Sequence, residues 1–132
     1  MKYTISKEGV YTPKFNGNRD LPPADQITVR YRQPTHAIKS RCRSKPQAKG
    51  ISGADGQIEK FEIVIDKNEI ATLKEMLISI SNCSYGENEG TEQKIQSAQN
   101  LIDAPLFFEP LLKEIVNEFD RILDESAIDE KN

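Results

Sequence analysis

Side chains that could support catalysis are scarce in this chain of 132 residues. His36 is the single histidine, and the two cysteines, Cys42 and Cys83, lie 41 positions apart in unlike surroundings. A tetrahedral zinc site or a Ser-His-Asp triad requires more of these residue types in one place. The glycines of "KGISGADGQ" lack the following Lys-Ser or Lys-Thr pair of a phosphate-binding loop. We therefore expect no enzymatic activity, no metal and no other cofactor.

Positive charge, by contrast, is concentrated in one segment. Residues 27–50 carry seven Lys or Arg and no Asp or Glu, although the whole chain has a net charge of -3. Residues 1–60 have a net charge of +7 and residues 61–132 a net charge of -10. Separated charge of this kind favours contact with an anionic partner or head-to-tail contact between copies of the chain.

Hydrophobic periodicity indicates which elements carry the basic segment. Apolar and polar residues alternate in "QITVRYR", which predicts a strand over residues 27–32. The same alternation predicts strands over residues 37–43 and, in "IEKFEIVID", over residues 58–66. Together they would form an antiparallel sheet of three to four strands within residues 26–66.

The apolar spacing changes to three and four residues after Asp66, which predicts an amphipathic helix over residues 67–80. Ser97 is placed to cap a short helical turn that ends before Pro105. A second long amphipathic helix is predicted over residues 107–124, with Pro110 in its first turn.

These elements predict a single α+β domain, in which two main amphipathic helices follow a small antiparallel sheet and pack on one of its faces. Its parts would be an extended, turn-rich segment at 1–25, a basic β-rich part at 26–66, an acidic helical part at 67–126 and a tail at 127–132. No apolar run is long enough to span a membrane, and the first ten residues are too polar for a signal peptide. We expect a soluble, cytoplasmic protein without membrane contact.

If the strands at 27–32 and 37–43 pair as a hairpin, their cations gather on one face of the sheet. The candidate binding residues on this face are Arg30, Arg32, Lys39, Arg41 and Arg43. One interpretation is that carboxylates of the same chain neutralise them, either Glu59 and Glu62 or those of the acidic last helix. Under this interpretation the basic face would be ordinary surface.

Two functional interpretations also remain. A basic β-ribbon can lie along the phosphates of a nucleic acid, but single-strand binding normally adds aromatic stacking residues, and only Tyr31 is close. Contact with another protein uses both the basic and the acidic half of the chain. We therefore favour protein binding, with a small nucleic-acid-binding protein as the alternative.

Two segments resemble a known class of protein. "YTPKFNGNRDLPPADQITVRYRQPT" and "IQSAQNLIDAPLFFEPLLKEIVNEFDRILDESAIDEKN" are similar to the opening and closing patterns of tail assembly chaperone-like proteins of tailed phages and prophages. The resemblance implies a non-enzymatic protein that associates with itself, with the tape measure protein and with tail tube subunits. It assigns no binding residue within the basic segment.

An exposed apolar helix would suit contact with a long helical partner such as the tape measure protein. The residues of the last helix that we predict to face a partner are Leu112, Val116, Phe119 and Leu123. Leu111, Ile115 and Ile122 would then pack inward. The alternative is that all seven side chains belong to the core.

Overall fold

A computed structural model describes the backbone of residues 1–43, 67–88 and 90–131, and the side chains of all these except 67 and 126–131. Within them a small antiparallel sheet packs against helices, which confirms the predicted α+β class. The sheet has the order β1-β2-β3. Its strands are β1 (Glu8–Tyr11), β2 (Thr28–Arg32) and β3 (Leu77–Ser81). A separate antiparallel pair consists of β4 (Ser84–Tyr85) and β5 (Gln93–Lys94).

The helices are α1 (His36–Cys42), α2 (Lys67–Met76), α3 (Ala98–Ile102) and α4 (Glu109–Lys131), with short 3-10 turns at Phe15–Asp20, Pro23–Asp25 and Leu106–Phe108. The predicted cap of α3 is confirmed, because the Ser97 side chain accepts a hydrogen bond from the Asn100 N–H. Pro110 lies in the first turn of α4, as predicted. The helix itself continues to Lys131, past the predicted end at 124 and into the predicted tail.

The core lies between one face of the sheet and the helices. Val29 and Ile80 pair across β2 and β3 and are 0% and 2% exposed. On the same face the Tyr31 ring lies 5.5 Å from the Phe119 ring of α4. Tyr31 also lies directly over Gly9 of β1, where a β-carbon would have no room. The sheet is therefore held to α4 through aromatic packing.

The prediction of a strand over 37–43 is wrong, because residues 37–42 belong to α1 and Arg43 is its C-cap. The Thr35 hydroxyl accepts a hydrogen bond from the Ile38 N–H at 3.1 Å, which begins the helix. Ile38 and Cys42 lie four residues apart and are both buried, so one face of the helix packs on the core. The part predicted to be β-rich therefore contains a helix.

The helix predicted over 67–80 is too long, because α2 ends at Met76 and the next five residues form β3. β3 pairs with β2 in an antiparallel ladder, and β1 supplies the third strand. The strand predicted over 58–66 lies outside the described residues. Two of the three strands in the described β1-β2-β3 sheet thus come from outside the range 26–66.

Hydrogen bonds tie the N-terminal segment to α4. The Tyr11 hydroxyl and the Lys14 N–H both donate to the Glu114 carboxylate, each at 2.6 Å. Burial, together with the hydrogen bond to this carboxylate, raises the pKa of Tyr11 to about 12. The N-terminal segment, which was predicted to be extended and turn-rich, is therefore hydrogen-bonded to α4.

Candidate protein-binding groove

A groove of about 670 Å³ opens where the β1–β2 ladder ends. Its apolar lining comes from Ile5, Pro34, Ile38 and Ile78. Its polar lining comes from Ser6, Lys7, Glu8, Arg32, Gln33 and Thr35. We call this feature the basic groove. We call its four apolar residues the floor and its two cations, Lys7 and Arg32, the edge; Glu8 is the one carboxylate in the lining. Apolar floor and cations together suit an apolar side chain that is flanked by negative charge.

Local structure fixes the walls of the basic groove. Glu8 pairs with Arg32 at the end of the ladder, and the Gln33 N–H extends the pairing by donating to the Lys7 carbonyl at 3.0 Å. Thr35 then begins α1, which brings Ile38 to the groove. Strands and α1 therefore supply Glu8, Arg32, Ile38 and Ile78 of the lining, and the segments that adjoin them supply the other six residues.

Three of the five predicted basic residues already bind carboxylates of the same chain. Arg30 forms an ion pair with Glu8, its neighbour on β1. Arg41 forms one with Glu75 of α2 at 2.9 Å, and this hydrogen bond holds the pKa of Glu75 below its usual value. The guanidinium of Arg43 binds two carboxylates of α4, as described next.

Arg43 connects α1 to α4. Its guanidinium lies 3.0 Å from Asp120 and 3.0 Å from Asp124. For this residue the acidic last helix does neutralise the basic segment, as one interpretation held. Glu59 and Glu62, the other carboxylates considered for that role, lie outside the described residues.

Arg32 and Lys39, the other two predicted basic residues, differ from Arg30, Arg41 and Arg43. Within residues 1–43, 67–88 and 90–125, no carboxylate lies within ion-pair distance of Arg32, Lys39 or the neighbouring Lys7. Arg32 reaches only the Glu75 carbonyl, at 3.4 Å. Since α1 replaces the predicted second strand, the five cations do not share one sheet face. Lys7 and Arg32 line the basic groove, whereas Lys39 does not.

The prediction of a partner-facing stripe on the last helix is wrong in this fold. Leu112, Val116, Phe119 and Leu123 are at most 3% exposed, so they belong to the core. Leu111 and Ile115 are equally buried, and only Ile122 is partly exposed. The broad apolar stripe exists because α4 packs against both the sheet and α2.

Sequence reasoning missed the exposed apolar residues in front of α4. Leu106 is 83% exposed and Phe107 is 62% exposed; we call these two side chains the apolar knob. The run "LFFEPLL" has the apolar pattern of one continuous helix. In the structure its first three residues form a separate 3-10 turn. Pro105 precedes that turn, and a proline at this position indicates that a new helical turn begins after it.

Comparison with protein-family models, with curated proteins and with solved structures finds no match for this chain. Among the described residues, none of the helices has the length and apolar content that a membrane span needs. The same residues contain no cluster of His, Cys, Asp and Glu suited to a metal ion. The function is therefore inferred from the groove, the knob and their charges.

Because Arg43 forms two ion pairs and Arg32 forms none with a described carboxylate, substitution of Arg43 should destabilise the fold more than substitution of Arg32. Arg43→Glu should lower the free energy of unfolding by about 1–2 kcal/mol, because two ion pairs are lost and three carboxylates then face one another. Arg32→Glu should lower it by less, about 0.2–1 kcal/mol, because no ion pair is lost and the new carboxylate lies opposite Glu8. Urea titration at 25 °C measures both values. Equal effects of the two substitutions would contradict the assignment.

Proposed function

We propose that this chain is a non-enzymatic assembly protein of a tailed phage or prophage. It resembles a tail assembly chaperone, and it acts in the host cytoplasm by binding the tape measure protein or tail tube subunits. The observation that carries the binding role is the basic groove, where the cations Lys7 and Arg32 lie beside apolar residues and neither forms an ion pair with a described carboxylate. The resemblance of the two end segments supports the phage assignment.

The charges favour a protein partner over a nucleic acid. Arg30, Arg41 and Arg43 each have a carboxylate partner that a phosphate would have to displace. Tyr31, the aromatic residue nearest the cations in sequence, packs against Phe119 and over Gly9, so it is already used within the fold. A groove with an aliphatic floor matches a peptide segment better than a sugar-phosphate backbone.

The partner segment should carry apolar residues for the groove floor and acidic residues for its edge. Burial of apolar surface would supply most of the affinity, since exposed ion pairs contribute only about 0–1 kcal/mol each. The cations would set the orientation and the association rate. An amphipathic helix of the tape measure protein has the form that such grooves accept.

Co-purification tests the proposal. The chain is tagged and co-expressed with each tail protein encoded beside its gene, and the captured partner is quantified. We expect capture of a tape measure or tail tube protein, and a loss of roughly tenfold or more when Lys7 and Arg32 are both changed to Glu. Lys94→Glu is the matched control, because this exposed lysine lies on β5, away from the groove.

Two results would overturn the proposal. The first is a gene neighbourhood without tail genes together with no capture of any tail protein. The second is submicromolar binding to labelled DNA or RNA that weakens steeply with salt and is lost in the groove variant. That second result would establish the nucleic-acid alternative.

A further inference from the structure

The apolar knob is a fixed projection. The Phe107 ring lies 5.7 Å from the Phe15 ring and 5.0 Å from the Phe108 ring, both in edge-to-face arrangements. The Phe108 N–H closes the turn by donating to the Pro105 carbonyl at 2.9 Å. Two large apolar side chains are thus held in solvent on an ordered turn, which is typical of an interaction surface.

Exposed carboxylates flank the apolar knob in the chain. Asp103 and Glu109 lie within three residues of it in the chain and are exposed. Glu87 lines, with Pro105, a hollow of about 420 Å³ beside it. In the described part of the chain, none of these three carboxylates has a cation within ion-pair distance.

The knob and the basic groove lie at opposite ends of the β1–β2 ladder. The groove adjoins the pair Glu8–Arg32, whereas the knob contacts Phe15, which follows the pair Tyr11–Val29 at the other end. The four pairs between these ends span about 10 Å at the usual rise per residue. A knob therefore does not reach the groove of its own chain.

We propose that copies of this chain associate head to tail, the apolar knob of one copy entering the basic groove of the next. Leu106 and Phe107 would cover the aliphatic floor, while Asp103 and Glu109 would approach Lys7 and Arg32. The two surfaces differ, so the contact is heterologous and generates a ring or a filament. The inference rests on the groove being a protein-binding site, as proposed above.

A mixing experiment tests whether the knob of one copy binds the groove of another. One variant carries Lys7→Glu and Arg32→Glu in the groove, and the other carries Leu106→Ser and Phe107→Ser in the knob. Sedimentation velocity over a concentration series should show the unchanged chain associating and each variant roughly tenfold or more weaker. An equimolar mixture of the two variants should form a dimer and stop, because each supplies one intact surface.

Lys74→Glu, an exposed charge reversal on α2, serves as the control and should associate like the unchanged chain. Circular dichroism confirms that every variant is folded. A monomeric unchanged chain, variants that associate normally, or a mixture that stays monomeric would each overturn the inference. Capture of a tail protein by a chain that does not self-associate would leave the proposed function standing, so the two failures are distinguishable.

Discussion

Phe119→Ala should lower the free energy of unfolding by about 3–5 kcal/mol, which is the cost of removing a large aromatic side chain from a packed core. The Phe119 side chain is 0% exposed, and its ring packs 5.5 Å from the ring of Tyr31. The alanine variant would leave a cavity between α4 and the sheet. Urea unfolding at 25 °C should show a lower midpoint with an unchanged slope.

Phe107→Ala is the matched control for this prediction. It removes the same side chain from a position that is 62% exposed, so the expected loss is below about 1 kcal/mol. If Phe119 faced a partner, the order would reverse, and Phe119→Ala would weaken association while leaving unfolding nearly unchanged. That outcome would contradict the burial of the α4 stripe and restore the sequence-based prediction.

The correct parts of the sequence analysis rest on local chemistry. Ser97 caps α3 and Pro110 sits in the first turn of α4 because these preferences come from the backbone of the helix end itself. The α+β class follows from the change of hydrophobic period, which requires no knowledge of the partners of each strand. Such signals act within a few residues and are visible in the sequence.

The errors arise where short patterns permit two structures. The Ile38–Cys42 spacing of four fits a helix as well as the period-two alternation fits a strand, and only the Thr35 cap separates them. The apolar pattern of α2 continues into β3 without a Gly or Pro, so nothing local marks the end at Met76. Residues 77–81 form a strand because they pair with β2, as Ile80 does with Val29, and this contact joins residues that are far apart in the sequence.

The candidate site was foreseen only in part, for a related reason. Composition identified the basic segment, but pairing with carboxylates depends on which elements become neighbours. Arg43 meets Asp120 and Asp124 only because α1 packs near α4. Arg32 forms no ion pair with a described carboxylate, although Glu8 lies opposite it in the sheet and its guanidinium reaches the Glu75 carbonyl. Sequence therefore located the charge without indicating which part of it was available.

Asn18→Ala should be the second most damaging of these substitutions, at about 2–4 kcal/mol. Asn18 is 2% exposed and binds three backbone groups. Its side-chain amide donates to the Pro13 carbonyl at 2.8 Å and to the Ile27 carbonyl at 3.0 Å, and its oxygen accepts from the Ile27 N–H at 2.6 Å. Each buried group left without a partner costs about 1–3 kcal/mol, and water reaching the nearby surface would offset part of the sum.

Two further variants identify the cause. Asn18→Asp keeps an acceptor for the Ile27 N–H but turns a carboxylate toward two carbonyl oxygens, so it should destabilise the fold as well. Asn117→Ala, at an exposed position of α4, should be neutral or slightly stabilising, because alanine favours helix. Urea unfolding gives the three values, and amide exchange reports on the Ile27 N–H. If Asn18→Ala unfolded like Asn117→Ala with the Ile27 amide still protected, the side chain of Asn18 would not be what joins the N-terminal segment to β2.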